Sequence, residues 1–370
     1  MWKENDQQAF FALVRAGLWA DVGSTEQGHL GFSEHIDWNM VYQLAGEQSV
    51  VGLVAAGIER LKGLDSSTSE TAKPSERFTV PQEVLLQMIA EVQMMEQTNK
   101  AMDQFIANII GNMHEANIYT LLVKGQGVAQ CYERPLWRTS GDVDLLLSED
   151  SYQKAKRFLL PLCSNHKNEE RYSRHLGLNL DPWYVEIHGS LRTGLSGRID
   201  KEVDAVQRDV FHGGQVRSWY NGHTQVFLPA PDNDVFFVFT HFIKHFYKEG
   251  MNLRQVCDWC RLLWTYKDSL NRGLLESRVR RAGLMSEWKA FSSLAVDYLG
   301  MPVEAMPLYD IREKWHNKSK KVMKFILDGR HGKMKDTLII ATIFPWDTMK
   351  FLPAIFFHLN WMKVKERLFV

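Results

Sequence analysis

Leu121–Leu147, LLVKGQGVAQCYERPLWRTSGDVDLLL, carries the reading that decides the fold class. An apolar run ends at Lys124-Gly125, a short glycine-containing stretch follows, and Gly141-Asp142-Val143-Asp144 opens a second apolar run. Successive side chains on a strand point to opposite faces, so Asp142 and Asp144 share one face while Val143 and Leu145 share the other. Two carboxylates about 4 Å apart repel by ~4 kcal/mol at an effective dielectric of about 20. A fold accommodates that when a divalent cation sits between them, or when one carboxyl is protonated. The cation reading points to phosphoryl chemistry.

Further along, Trp183-Tyr184-Val185-Glu186-Ile187-His188-Gly189 alternates in the same way, with Glu186 and His188 on one face. A strand here, laid beside the Asp142–Leu147 strand, lets Glu186 complete a three-carboxylate cluster. Such a cluster suits two Mg²⁺ ions that clamp the attacking and leaving oxygens of an in-line displacement, and Mn²⁺ would also serve.

The order apolar strand, Lys-Gly, helix, Arg, Gly-Asp-x-Asp-Leu-Leu, then a strand bearing Glu-Ile-His resembles the polymerase-β-like nucleotidyltransferase superfamily. More narrowly, it is similar to a bacterial family of mostly uncharacterised nucleotidyltransferases, often associated with polysaccharide and other biosynthetic clusters. The core resemblance covers about 119–191, with weaker similarity over Phe10–Trp19 and the 241–263 helix. It implies an α+β fold in which a small mixed sheet is flanked by helical domains. It also implies metal ligation by Asp142, Asp144 and Glu186, with Lys124-Gly125 near the phosphates of an NTP such as ATP. Most of the wider superfamily has Gly-Ser where this chain has Lys-Gly, so no serine hydroxyl is assigned to the triphosphate.

Composition narrows the alternatives. The formal net charge of the 370 residues is zero, so no whole-chain field favours nucleic acid or an anionic membrane. Four irregularly spaced cysteines make no disulfide framework, and MWKENDQQAF has no apolar stretch after a basic start. A cytoplasmic enzyme is the expectation. No run reaches the ~18–20 apolar residues of a spanning helix. The aromatic and basic tail from Leu338 to Lys365, broken by Pro345 and Pro353, reads as a helical subdomain on the core, with a membrane-surface element as the alternative.

Three parts follow along the chain: an N-terminal helical domain (1–118), a nucleotidyltransferase core (119–231) and a C-terminal helical domain (232–370). Helices are expected over Gln7–Trp19, Asp37–Leu61 with Asp37 as N-cap, and Gln82–Ala116 after Pro81. Gly63–Ser75, rich in Ser, Thr and charge, reads as an exposed loop. Strands are expected over Tyr119–Val123, Gly141–Leu147, Leu176–Asp181, Trp183–His188 and Thr224–Leu228, with a helix over Ser151–Leu160 capped by Ser148 or Asp150.

Around the carboxylates, Lys124 and Arg138 are candidates to neutralise phosphate charge. The structural alternative for Arg138 is an ion pair with Asp142 or Glu133. Gly125, Ser140 and Gly141 are candidates for close backbone approach to the nucleotide. His188 is a candidate to contact a ligating carboxylate or the substrate, and His175 and Arg174 to line the cleft. His241-x₃-His245 with Cys257-x₂-Cys260 has the composition of a zinc set. Both pairs also fit ordinary packed helices, with Arg254 paired to Asp258, His241 and His245 leaning to the cleft, and Lys244 and Lys248 adding basic lining.

The combined expectation is transfer of an NMP from an NTP to an unidentified, small-molecule acceptor, with pyrophosphate release. Two other classes stay open: a toxin-like or regulatory enzyme nucleotidylating a protein or tRNA, and a nucleotide-binding module without turnover. Base preference, acceptor and oligomeric state have no signature in the sequence.

Overall fold

The computed structural model describes residues 3–19, 36–68, 79–170, 172, 174–213, 215–329 and 332–353. The N-terminal helices are α1 (Glu4–Leu18), α2 (Trp38–Glu47), α3 (Val51–Thr68) and α4 (Gln82–Glu115). Asp37 caps α2 as expected, its carboxylate accepting from the backbone N–H groups of Asn39 and Met40. The single helix expected over Asp37–Leu61 is instead two. Ser49 takes a left-handed backbone conformation (φ 56°), and the Gln48 side chain accepts from Leu253 N–H at the start of a distant helix. The loop expected over Gly63–Ser75 begins later, because α3 runs on to Thr68; residues 69–75 lie outside the described residues.

The central section alternates β1 (Thr120–Val123), α5 (Gly125–Ala129), β2 (Asp142–Leu147), α6 (Glu149–Leu159), β3 (Asn165–His166), β4 (His175–Leu180) and β5 (Trp183–His188). It closes with α7 (Gly197–His212), β6 (Val216–Asn221) and β7 (Thr224–Pro229). Helices follow: α8 (Pro231–Lys248), α9 (Leu253–Thr265), α10 (Arg272–Ala282), α11 (Met285–Leu299), α12 (Glu313–Asp328) and α13 (Lys333–Ile343). The fold is α+β, a mixed seven-stranded sheet in the order β3-β4-β5-β2-β1-β7-β6 with helices on both sides. β2 runs parallel to β5 and antiparallel to β1, so the two strands that carry acidic residues are direct neighbours.

The period-2 alternation sorts the sheet into two faces. Val143, Leu145, Leu147, Val185 and Ile187 pack with Met102, Ile106 and Ile110 of α4 and Tyr152 and Leu159 of α6. Leu121, Val123 and Leu146 point the other way, into a larger core shared by the N-terminal and C-terminal helices. Phe239, Phe242 and Phe246 of α8 meet Trp259, Trp288 and Phe291 there in edge and tilted ring contacts. Trp19 donates to Leu299 O at 2.6 Å, and Arg261 to Leu18 O at 2.6 Å, so α1, α9 and α11 close one interior. Asp142, Asp144, Glu186 and His188 lie on this second sheet face, under α5, α8 and α9.

Ile340, Ile343, Phe344 and Phe351 join the same core, while residues 354–370, which hold the rest of the tail, lie outside the described residues. Among the described residues no helix is long and apolar enough to cross a membrane.

Candidate active site

The register assembles the acidic set. Asp144 sits opposite Glu186 across the parallel β2–β5 pair and opposite Val123 across the antiparallel β1–β2 pair. One ligand oxygen from each of Asp142, Asp144 and Glu186 lies within 4.8 Å of the others. Gly177, opposite Glu186 on β4, has no room for a side chain, because a Cβ there would lie 1.8 Å from the Tyr184 hydroxyl.

Lys124, the residue after β1, takes a left-handed backbone conformation (φ 58°), and Gly125 follows with φ 42°. For a lysine this conformation costs on the order of 1–3 kcal/mol. The turn carries Nζ to 2.6 Å from Asp144 Oδ1, where the ammonium stands as a cation among the carboxylates. His188 Nε2 reaches the same oxygen at 2.7 Å, and His175 Nε2 lies 3.0 Å from Glu186 Oε2.

These contacts set the charge states. Burial pushes the Asp144 carboxyl up, but the Lys124 ammonium and the His188 bond outweigh it and hold the group well below the ordinary range. Repulsion from Asp144, reinforced by burial, raises Asp142. Burial also opposes the charge on Glu186, yet contact with His175 keeps its carboxyl below the usual value. Lys124 is buried as well, and the surrounding carboxylates raise its pKa in spite of that. Burial lowers His188 and, with the nearby Lys124 charge, drives the partly buried His241 far down, which favours its neutral imidazole.

A cavity of about 160 Å³ opens over this cluster, lined by Lys124, Gly125, Asp142, Asp144, His241 and His245 among others. His241 and His245 therefore do lean to the cleft, their Nε2 atoms 3.0 Å apart. Lys244 and Lys248 do not line it: Lys244 faces Glu249 at 3.5 Å, and Lys248 donates to Thr193 O and Gly194 O. Gly141 lines the cavity, whereas the Ser140 hydroxyl donates to Asn99. Arg174 pairs with Glu149. Cys257 and Cys260 are fully buried in the helical core. Among the described residues no ligand group joins them to the histidines.

Arg138 lines the cavity, but its guanidinium is committed to Asp258 through two bonds of 2.7 Å. Neither Asp142 nor Glu133 is its ion-pair partner; Glu133 pairs with Arg60. The expected Arg254–Asp258 pair is replaced for the same reason. Arg254 instead donates to Thr139 O at 2.6 Å, and its Nε is buried with no hydrogen-bond partner. Tyr132 adds a 2.8 Å bond to Asp258. A second cavity of about 230 Å³ adjoins the first, and Arg138 and Arg254 line both.

Asn99 of α4 was not legible as a site residue. Its amide donates to Leu136 O at 2.7 Å and Arg138 O at 2.9 Å, clamping the segment that leads into β2. A polar residue on an otherwise apolar face of a long helix was the available signal.

No curated protein matches the sequence. A family model described as uncharacterised nucleotidyltransferase matches residues 34–300, a span that holds every strand described above and all three clustered carboxylates. The weaker resemblance over Phe10–Trp19 falls outside the match, and the His241–Leu263 region falls inside it. With most of its length inside that match and its acidic strands paired as such a site requires, the chain belongs to this nucleotidyltransferase family.

Proposed function

We propose that the protein is a divalent-metal-dependent enzyme that transfers an NMP from an NTP to a small-molecule acceptor and releases pyrophosphate. The observation that carries this reading is the convergence of Asp142, Asp144 and Glu186 on one sheet face, with one ammonium among three carboxylates. The donor set fits hard dications, and the Lys124 ammonium on Asp144 marks where positive charge is favourable. When bound, such ions neutralise the triphosphate and the charge that develops at the α-phosphorus.

The chain's own groups do the rest. Asp142, Asp144 and Glu186 hold the ions, which we assign as Mg²⁺, with Mn²⁺ also suited. Lys124, freed from Asp144, meets the β- or γ-phosphate, and Gly125 and Gly141 admit the phosphates close to the backbone. Arg138 acts by holding the segment before β2 on Asp258 and by its residual field. An acceptor oxygen attacks the α-phosphorus, the bond to the bridging oxygen of pyrophosphate breaks, and Glu186 takes the acceptor's proton. The adjoining cavity, whose wall shares Arg254, is our assignment for the acceptor.

The test uses NTP labelled at the α-phosphorus, Mg²⁺, and fractions of metabolites or macromolecules. Wild type should move label into a small molecule with pyrophosphate release, and Asp142→Asn should not. Label in protein or RNA would redirect the acceptor assignment, and release of inorganic phosphate alone would contradict nucleotidyl transfer.

A further inference from the structure

His175 and His188 are directly opposed on the antiparallel β4–β5 pair, with rings stacked at 4.7 Å and nearly parallel at 3°. Both turn Nε2 toward one oxygen, Glu186 Oε2, at 3.0 and 3.7 Å. One ligand atom from each of these three residues lies within 4.8 Å of the other two. We propose that His175, Glu186 and His188 form an imidazole-bearing site for a first-row transition dication, beside the acidic pair Asp142–Asp144.

An ordinary ion-pair cluster does not account for the arrangement. His175 Nε2 is buried and makes no hydrogen bond, although it lies 3.0 Å from Glu186 Oε2. A buried ring nitrogen left unbonded is costly unless it serves as a ligand. On the far side of the ring, Nδ1 lies 4.0 Å from Glu170 Oε2. The two residues also exchange backbone bonds of 2.9 and 3.2 Å, which fix the main chain that carries the ring. At 4.0 Å the Glu170 carboxylate makes no hydrogen bond to the ring, but it stands on the side from which a ligating imidazole is usually oriented.

The donor chemistry selects the ion class. Two imidazole nitrogens and one carboxylate oxygen suit Mn²⁺, Co²⁺ or Zn²⁺, whereas Mg²⁺ prefers oxygen ligands throughout. His188 now bonds Asp144 at 2.7 Å. To ligate through Nε2, its neutral ring carries the proton on Nδ1 instead, so no net proton is released. Asp144, freed of that bond, remains available to the acidic pair. The site stands on this geometry alone and does not require nucleotidyl transfer, although it shares Glu186 with the proposed reaction.

The metal-stripped full chain, titrated with Mn²⁺, gives a direct test by pulsed electron paramagnetic resonance. Wild type and Asp142→Asn should both show imidazole ¹⁴N coupling to bound Mn²⁺. His175→Gln should reduce the coupling from two imidazole nitrogens to one and weaken Mn²⁺ binding at least ~10-fold, the lower bound for disturbing a metal's ligand shell. Mn²⁺ bound to wild type without nitrogen coupling, or no Mn²⁺ bound, would overturn the site without any variant. Coupling lost in Asp142→Asn, or undiminished in His175→Gln, would overturn it as well. Nitrogen coupling in a protein that transfers no nucleotide would leave this site intact and remove only the catalytic reading.

Discussion

Arg138 meets Asp258 through two bonds of 2.7 Å and Tyr132 adds a third contact, so that buried charge is balanced within the chain. In the cavity whose wall this pair helps to form, Asp142, Asp144 and Glu186 share the single ammonium of Lys124, and two of their neighbours are imidazoles. The first arrangement is complete and holds the loop before β2 in place. The second carries excess negative charge on rigid strands, which costs folding energy until a cation arrives. A buried charge that the chain fully answers is architecture, and one that it answers only in part is a binding site. Glu287 is a third case: buried, 2.8 Å from the Tyr247 hydroxyl, with one oxygen unpartnered, its carboxyl is pushed up to about 8, chiefly by burial. Among the described residues it has no ion-pair partner, and the Lys318 charge offsets its burial only in part, so protonation is favoured.

The contrast is broken most directly at Asp142. Asp142→Asn should reduce nucleotidyl transfer by roughly 10³-fold or more, the several kcal/mol a bound metal contributes. It should also raise metal-free thermal stability, because it removes a carboxylate that Asp144 repels. A drop in stability would mean that the cluster is structural. Arg138→Ala should do the reverse, lowering stability by about 3–5 kcal/mol through an uncompensated Asp258, as thermal or denaturant unfolding would record.

Glu287 sharpens the comparison through pH. Its folded pKa lies above the unfolded value of 4.5, so the folded state binds the extra proton. Its contribution to stability is therefore present below about pH 4.5 and is lost as pH rises through about 8, over a range of a few kcal/mol. Glu287→Gln should flatten that part of the stability profile, and an unchanged slope would place the carboxylate in a solvated setting. The smallest effect belongs to the clamp. Asn99→Ala frees the carbonyls of Leu136 and Arg138 and should cost about 1–3 kcal/mol, with a rise in KM for NTP as the segment before Asp142 loosens.

Five of the seven strands were legible to within a residue, because period-2 alternation on a sheet buried on both faces writes itself into the sequence. The acidic cluster was legible for the same reason: Asp-x-Asp and Glu-x-His can face only one way once Val143 and Val185 face the core. The edge strands Asn165–His166 and Val216–Asn221 were not recognised, since a two-residue strand and an exposed one that mixes polar and aromatic residues both resemble loops. The helix Gly197–His212 was not recognised either. Spacing suggested Arg254 for Asp258, yet the partner is Arg138, 120 positions away, and no local pattern reports a pair at that separation. The break at Ser49 depends on Gln48 reaching a distant helix terminus, which is equally invisible along the chain.

The central claim is that the three carboxylates form a metal-dependent nucleotide site. Calorimetric titration of each NTP with and without Mg²⁺, on wild type and on Asp142→Asn/Asp144→Asn, tests it most directly. Binding should require the ion and disappear in the double variant. NTP binding indifferent to the ion, or equal in both proteins, would contradict it.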